Sequence, residues 1–122
     1  MKYAELLKIN VDNLKEEAIN QPILYMEWSI KANEAREEAE KLKLKLDIFE
    51  SVTTDDMRKN PDTYKLTKVT EGAISSCLTS LATYQEMKIA HIEKKTVAEK
   101  CNSLLIALQQ RERTIQSLLS FK

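Results

Sequence analysis

The sequence predicts an all-α protein: two long amphipathic helices, short N-terminal and connecting helices, and a C-terminal coiled-coil-like helix that assembles copies into a homo-oligomer. Three observations lead there. The 122 residues include one glycine and two prolines, so little interrupts a helix. Apolar residues recur at alternating spacings of four and three over two long stretches. A single layer of such helices would leave apolar stripes in water, which favours a bundle or an oligomer.

Taken in order, Tyr3 to Ile9 and Asn13 to Ile19 read as short helices, the second capped by Asp12 with Glu16 and Glu17 near its start. Pro22 either opens the next helix in its first turn or kinks one continuous helix. From Ile23 to about Val52 the pattern is strong. Trp28, Ala32, Ala35, Ala39, Leu42, Leu46 and Phe49 share one helix face, and the alanines let a partner approach closely. A second, weaker stripe of Ile23, Ile30, Leu44 and Ile48 lies on roughly the opposite side, so this helix expects neighbours on two sides.

The segment TTDDMRKNPDTY, Thr53 to Tyr64, gathers Asp, Asn and Pro and reads as a connection. Thr67 caps a short helix through Leu78. Thr79 then caps a helix from Ser80 nearly to Ser120, about 60 Å long at 1.5 Å per residue. Its seam is Ala90, Lys94, Val97, Cys101, Leu104, Leu108, Arg111, Ile115 and Leu118, broadened by Leu105 and Leu119. The charged Lys94 and Arg111 either lie outside the tight contact or set its register. Val97 to Leu118 along this seam form the predicted assembly contact. The chain is one helical domain, 1–122, with an N-terminal helical part over 12–52, a connection over 53–66 and an assembly part over 67–122.

Formal charge is zero, with 19 basic and 19 acidic residues. It is unevenly placed: Met1 to Asp62 carries 10 basic and 14 acidic side chains, Thr63 to Lys122 carries 9 and 5. Neutrality argues against binding a polyanion by bulk charge, but leaves open a local basic groove or a ring that gathers lysines from several copies. Cys77 and Cys101 belong to no CxxC pair and read as buried, reduced thiols. No signal peptide or membrane span is evident, and the expected location is the cytoplasm.

Catalytic parts are absent from the pattern. His91 is the only histidine, so paired-histidine metal motifs are excluded. The carboxylates Glu34, Glu37, Glu38 and Glu40 belong to a charged helical face. No nucleophile elbow, phosphate loop or dinucleotide fingerprint occurs. The expectation is a non-enzyme without metal or cofactor.

The informative segment is Lys41-Leu42-Lys43-Leu44-Lys45-Leu46-Asp47-Ile48-Phe49. The longer 4-3 spacing makes it helical despite the local alternation. Lys41 and Lys45 then stand one turn apart, with Lys43 on the other flank of the seam. A second basic group, Lys88, Lys94, Lys95 and Lys100, lies on the C-terminal helix. Lysines at an apolar rim can present ammonium groups to phosphates.

These residues, together with Pro22-Ile23-Leu24-Tyr25-Met26-Glu27-Trp28 and with Ala107-Leu108-Gln109-Gln110-Arg111 followed by Ile115, resemble the UvsY-type recombination mediators of tailed phages. The similarity extends over roughly Glu17 to Leu119. It implies a helical protein that binds single-stranded DNA and forms a ring, a hexamer or heptamer. In a phage-infected host cell it would help a RecA-like recombinase displace the single-strand-binding protein. The family's basic DNA contacts fall on Lys43 and Lys45. The second is arginine in the family pattern, and the aromatic pair that follows is Ile48-Phe49 here, changes that weaken bidentate phosphate contact and base stacking. Lys41, Lys43, Lys45, Phe49, Lys88 and Lys95 are the candidate nucleic-acid contacts. Leu104, Leu108, Ile115 and Leu118 would carry assembly. The competing expectation is a non-catalytic helical scaffold, or chaperone-like oligomer, that binds only proteins.

Overall fold

A computed structural model describes residues 3–121, and among them every regular element is helical. Helix α1 spans Tyr3–Leu6, α2 Leu14–Lys59, α3 Glu71–Ser80 and α4 Ala82–Ser120, with 3-10 turns at Val11–Asn13 and Pro61–Tyr64.

The N-terminal helix stops at Leu6, short of Ile9. The turn before α2 is capped by Asn10 rather than Asp12: the Asn10 side chain accepts from the Asp12 N–H at 3.1 Å. Pro22 lies inside α2, so the continuous-helix alternative holds. Pro22 removes one backbone donor. Packing on either side keeps the helix intact, because Gln21 is buried and bonds the Leu108 carbonyl at 2.7 Å while Leu24 and Tyr25 pack on the core.

Helix α2 also continues through Thr53 to Lys59, part of the segment predicted as a connection. The 4-3 seam had not ended there. Thr53 and Met57 prolong the buried face of Leu46 and Phe49, and a threonine at a seam position hid the period. The helix stops where Pro61 follows Asn60, whose N–H bonds the Asp56 carbonyl at 2.7 Å. Lys65, at φ 58°, takes the left-handed conformation that turns the chain away.

Helix α3 is capped by Thr70, not Thr67: the Thr70 hydroxyl accepts from the Ala73 N–H at 3.1 Å. It ends at an extended Leu81, and α4 begins at Ala82 rather than Ser80. The freed carbonyls find side chains. Ser80 Oγ donates to Cys77 O at 2.6 Å and Gln85 Nε2 to Thr79 O at 2.8 Å.

The chain divides into two compact units, both built from α2 and α4. One comprises the chain through Arg36 and from Thr96 onward. Its core is Trp28, Ala32, Cys101, Leu104 and Leu108, closed by Tyr3, Leu6, Leu7, Leu24, Tyr25 and Leu105. Tyr3 meets Trp28 edge to face at 5.8 Å between ring centroids, and the Lys31 ammonium lies 4.3 Å from the Trp28 ring centre.

The other unit, Glu37–Lys95, adds α3. Met57, Ile74 and Leu78 form its buried cluster, with Phe49, Tyr64, Leu66, Cys77, Leu81 and Tyr84 packed against it. Arg58 grips the Glu71 carboxylate with two bonds of 3.0 and 3.1 Å, joining the end of α2 to the start of α3. Both cysteines are free thiols, Cys101 buried and Cys77 half-buried. Among the described residues no helix is long and apolar enough to cross a membrane.

Candidate nucleic-acid interface

Each predicted contact has a definite place in the unit Glu37–Lys95. Lys41, Lys43 and Lys45 are exposed on α2, and Lys88 and Lys95 are exposed on α4. Two residues along a helix turn about 200°, so Lys43 and Lys45 stand on different sides of α2, while Lys41 and Lys45 share a face.

Their charges are not equally available. Lys41 pairs with Glu37 one turn back at 3.0 Å. Lys43 pairs with Asp47 one turn ahead at 2.8 Å, and this hydrogen bond holds its ammonium pKa above the ordinary lysine value. Lys94 reaches across to Glu38 on α2 at 2.8 Å; the contact raises the lysine and lowers the carboxyl. Lys45, Lys88 and Lys95 make no ion pair with the described residues. The exposed pairs are weakly held and can exchange a carboxylate for a phosphate, but the unpaired lysines do so without losing a partner.

Phe49, expected both in the α2 seam and among the nucleic-acid contacts, lies in the seam. It is half-buried and packs on the Met57, Ile74 and Leu78 cluster, so its ring is committed to the core rather than open for base stacking. The Lys43/Lys45 pair is likewise split between two flanks of one seam.

The residues assigned to assembly are mostly used within the chain. Cys101, Leu104, Leu108, Arg111 and Ile115 are buried in a single copy, Leu108 completely. Leu118 is half-buried. Val97 is 43% exposed, and its neighbour Ala98 is the half-buried residue at that turn. The two predicted seams thus cover one another over part of their length: Trp28 and Ala32 of α2 pack with Cys101, Leu104 and Leu108 of α4.

A polar cluster inside this seam surrounds Arg111, whose charge was expected to lie outside the tight contact or to set its register; its partners went unpredicted. Arg111 donates to Gln21 Oε1 at 2.6 Å, to the Lys8 carbonyl at 2.8 Å and to the Glu17 carboxylate. Its Nε is buried without a partner. The signal was present as Gln21 and Arg111, each a polar residue at an apolar seam position.

An open cavity of about 520 Å³ lies between α1 and α4, lined by Tyr3, Leu7, Glu99, Lys100, Leu104 and Ala107. No group of three or more metal-ligating side chains gathers among the described residues. His91 is half-buried in α4.

No protein-family model, curated protein or solved structure matches the chain.

Proposed function

We propose that this chain is a recombination mediator that binds single-stranded DNA through exposed lysines of α2 and α4. It would help a RecA-like recombinase displace the single-strand-binding protein and assemble its filament, working as a homo-oligomer in the cytoplasm of a phage-infected cell. The observation that carries this reading is the set Lys45, Lys88 and Lys95, exposed and without carboxylate partners in one small unit. The resemblance of LKLKLDIF and the Pro22–Trp28 segment to UvsY-type mediators supports it.

The mechanism is electrostatic. A single lysine holds a phosphate weakly, but copies brought together repeat the contact and multiply its effect. Binding would be nearly independent of base sequence and fall with salt as counterions leave the strand, by a slope of about −0.7 per phosphate neutralised. The internal α2–α4 seam is occupied, so copies would associate through other surfaces.

Fluorescence anisotropy with a labelled single-stranded oligonucleotide, repeated across a salt series, tests the reading. Tight binding at low salt that is lost at high salt supports it. No binding at low salt rejects it.

One observation favours a protein-only scaffold instead. Ile19, Ile23, Met26 and Ile30 follow one another at 4-3-4 spacing on α2, and all are at least half exposed. An apolar stripe of that kind suits a partner helix. Capture of a protein partner without any DNA affinity would select this alternative.

A further inference from the structure

We infer that α2 pairs with α2 of a second copy, antiparallel and two-fold symmetric about Ile48. This contact goes beyond the proposed function and does not depend on DNA binding.

The face concerned carries Glu37, Lys41, Leu44, Ile48, Val52, Asp55 and Lys59, all exposed, on the side of α2 away from Leu46 and Thr53. Leu44, Ile48 and Val52 are 60, 53 and 64% exposed, a three-residue apolar ridge in water. The spacings along the face are 4-3-4-4-3-4, which read the same in both directions from Ile48. That amounts to about 3.67 residues per turn, so a nearly straight helix keeps all seven positions in line over roughly 33 Å.

The chemistry is mirrored as well. Running a second copy in the opposite direction sets Ile48 against Ile48 and Leu44 against Val52. It also sets Lys41 against Asp55 and Glu37 against Lys59. Each apolar residue meets an apolar one, and each charge meets its opposite. A two-fold contact requires this kind of self-complementarity, with residue i facing j and j facing i. Within one copy Lys41 already pairs with Glu37 and Lys59 with Asp55, both at 3.0 Å. Antiparallel pairing joins the two bridges at each end into a four-charge cluster with opposite charges facing, whereas a parallel arrangement in register would set like charges against each other. The occupant of this face is therefore a second copy of the same helix.

Three apolar side chains per copy and exposed charge clusters make a small interface, at the low end for specific association. The dimer should be weak, with half-association on the order of tens of micromolar.

Sedimentation velocity on the full chain without DNA, over a concentration series, tests the contact. The parent should pass from monomer to larger species as concentration rises. Ile48→Asp places two carboxylates together on the axis and should raise the midpoint concentration by more than about tenfold. Ile106→Asp, at a comparably exposed (52%) position on α4, should leave it unchanged. Lys41→Glu should weaken association, and Lys41→Glu combined with Asp55→Lys should restore it, because the cross-copy pair is re-formed with signs exchanged. Mild oxidation of Ile48→Cys should yield a disulfide-linked dimer not seen with Ile106→Cys. These exposed substitutions leave the core untouched, and circular dichroism verifies the fold. A parent that stays monomeric at all concentrations, an Ile48→Asp variant that associates like the parent, or a charge exchange that fails to restore association overturns the inference.

Discussion

Arg111 and Glu17 form an ion pair within the apolar seam between α4 and α2, with side chains only 7% and 20% exposed. The guanidinium is also tied to Gln21 Oε1 and to the Lys8 carbonyl, so one side chain fixes the register of α4 on α2 and fastens the segment after α1. Taking these charges out of water costs nearly as much as their attraction returns, but stranding one of them is far more costly. Glu17→Leu should therefore destabilise the chain by roughly 3 kcal/mol. Adding Arg111→Met to Glu17→Leu should recover much of that loss, leaving Gln21 to bond Leu108 alone. Urea unfolding of the two single variants and the double variant measures the coupling; additive losses would show that the pair is not a unit.

Leu108 is fully buried in one copy. Removing its side chain opens a cavity among Trp28, Ala32, Cys101 and Leu104, since packed helices relax only partly around a void. Leu108→Ala should cost about 2–5 kcal/mol in urea unfolding. The loss should be independent of protein concentration, because the contact lies within the chain. A concentration-dependent loss would return Leu108 to the role in assembly that its spacing first suggested.

The helical class and the α2 seam were legible in the sequence because apolar side chains at 3.6-residue periodicity have one stable arrangement. Trp28, Ala32, Ala35, Ala39, Leu42, Leu46 and Phe49 are all buried or half-buried. Periodicity identifies a buried face but not what buries it, which is why the α4 seam read as a contact between copies. It fails where a polar group sits in the seam. Thr53 hid the last turns of α2, and Gln21 and Arg111 gave no hint that each would satisfy the other. The candidate lysines were legible as residue types, but their availability was not. Asp47 holds Lys43 and Glu37 holds Lys41, whereas Lys45 has no such partner.

Asp56 organises the end of α2, accepting from the Tyr64 hydroxyl at 2.6 Å and from Asn60 Nδ2 at 2.8 Å. These two bonds, Tyr64 first, hold the Asp56 pKa below the usual aspartate range, and the same contact pushes the Tyr64 pKa up. The signs differ at the two limbs. Asp56 is more acidic folded than unfolded, so its contribution is full above about pH 4 and fades as pH falls through the lowered value. Tyr64 is less acidic folded, so its contribution is full below about pH 10 and fades as pH rises through the raised value. Tyr64→Phe should flatten both limbs of the stability profile, and Asp56→Asn should do the same. Thermal melts from pH 3 to 11 check this; a Tyr64→Phe profile parallel to the parent at both ends would exclude the bond as their source.

The contrast between Lys43 and Lys45 gives the sharpest test of the proposed DNA contact. Lys45 meets a phosphate without giving anything up, while Lys43 must leave Asp47, whose carboxylate also repels the strand. Lys45→Ala should then weaken binding to single-stranded DNA more than Lys43→Ala does. It should also reduce the magnitude of the salt slope by about 0.7 for each copy that engages the strand, the value for one lost phosphate contact. Asp47→Asn should strengthen binding, because it frees Lys43 and removes a like charge from the path of the strand. Anisotropy titrations at several salt concentrations separate these effects. Equal affinities and slopes for the parent and all three variants would move the DNA contact away from this part of α2.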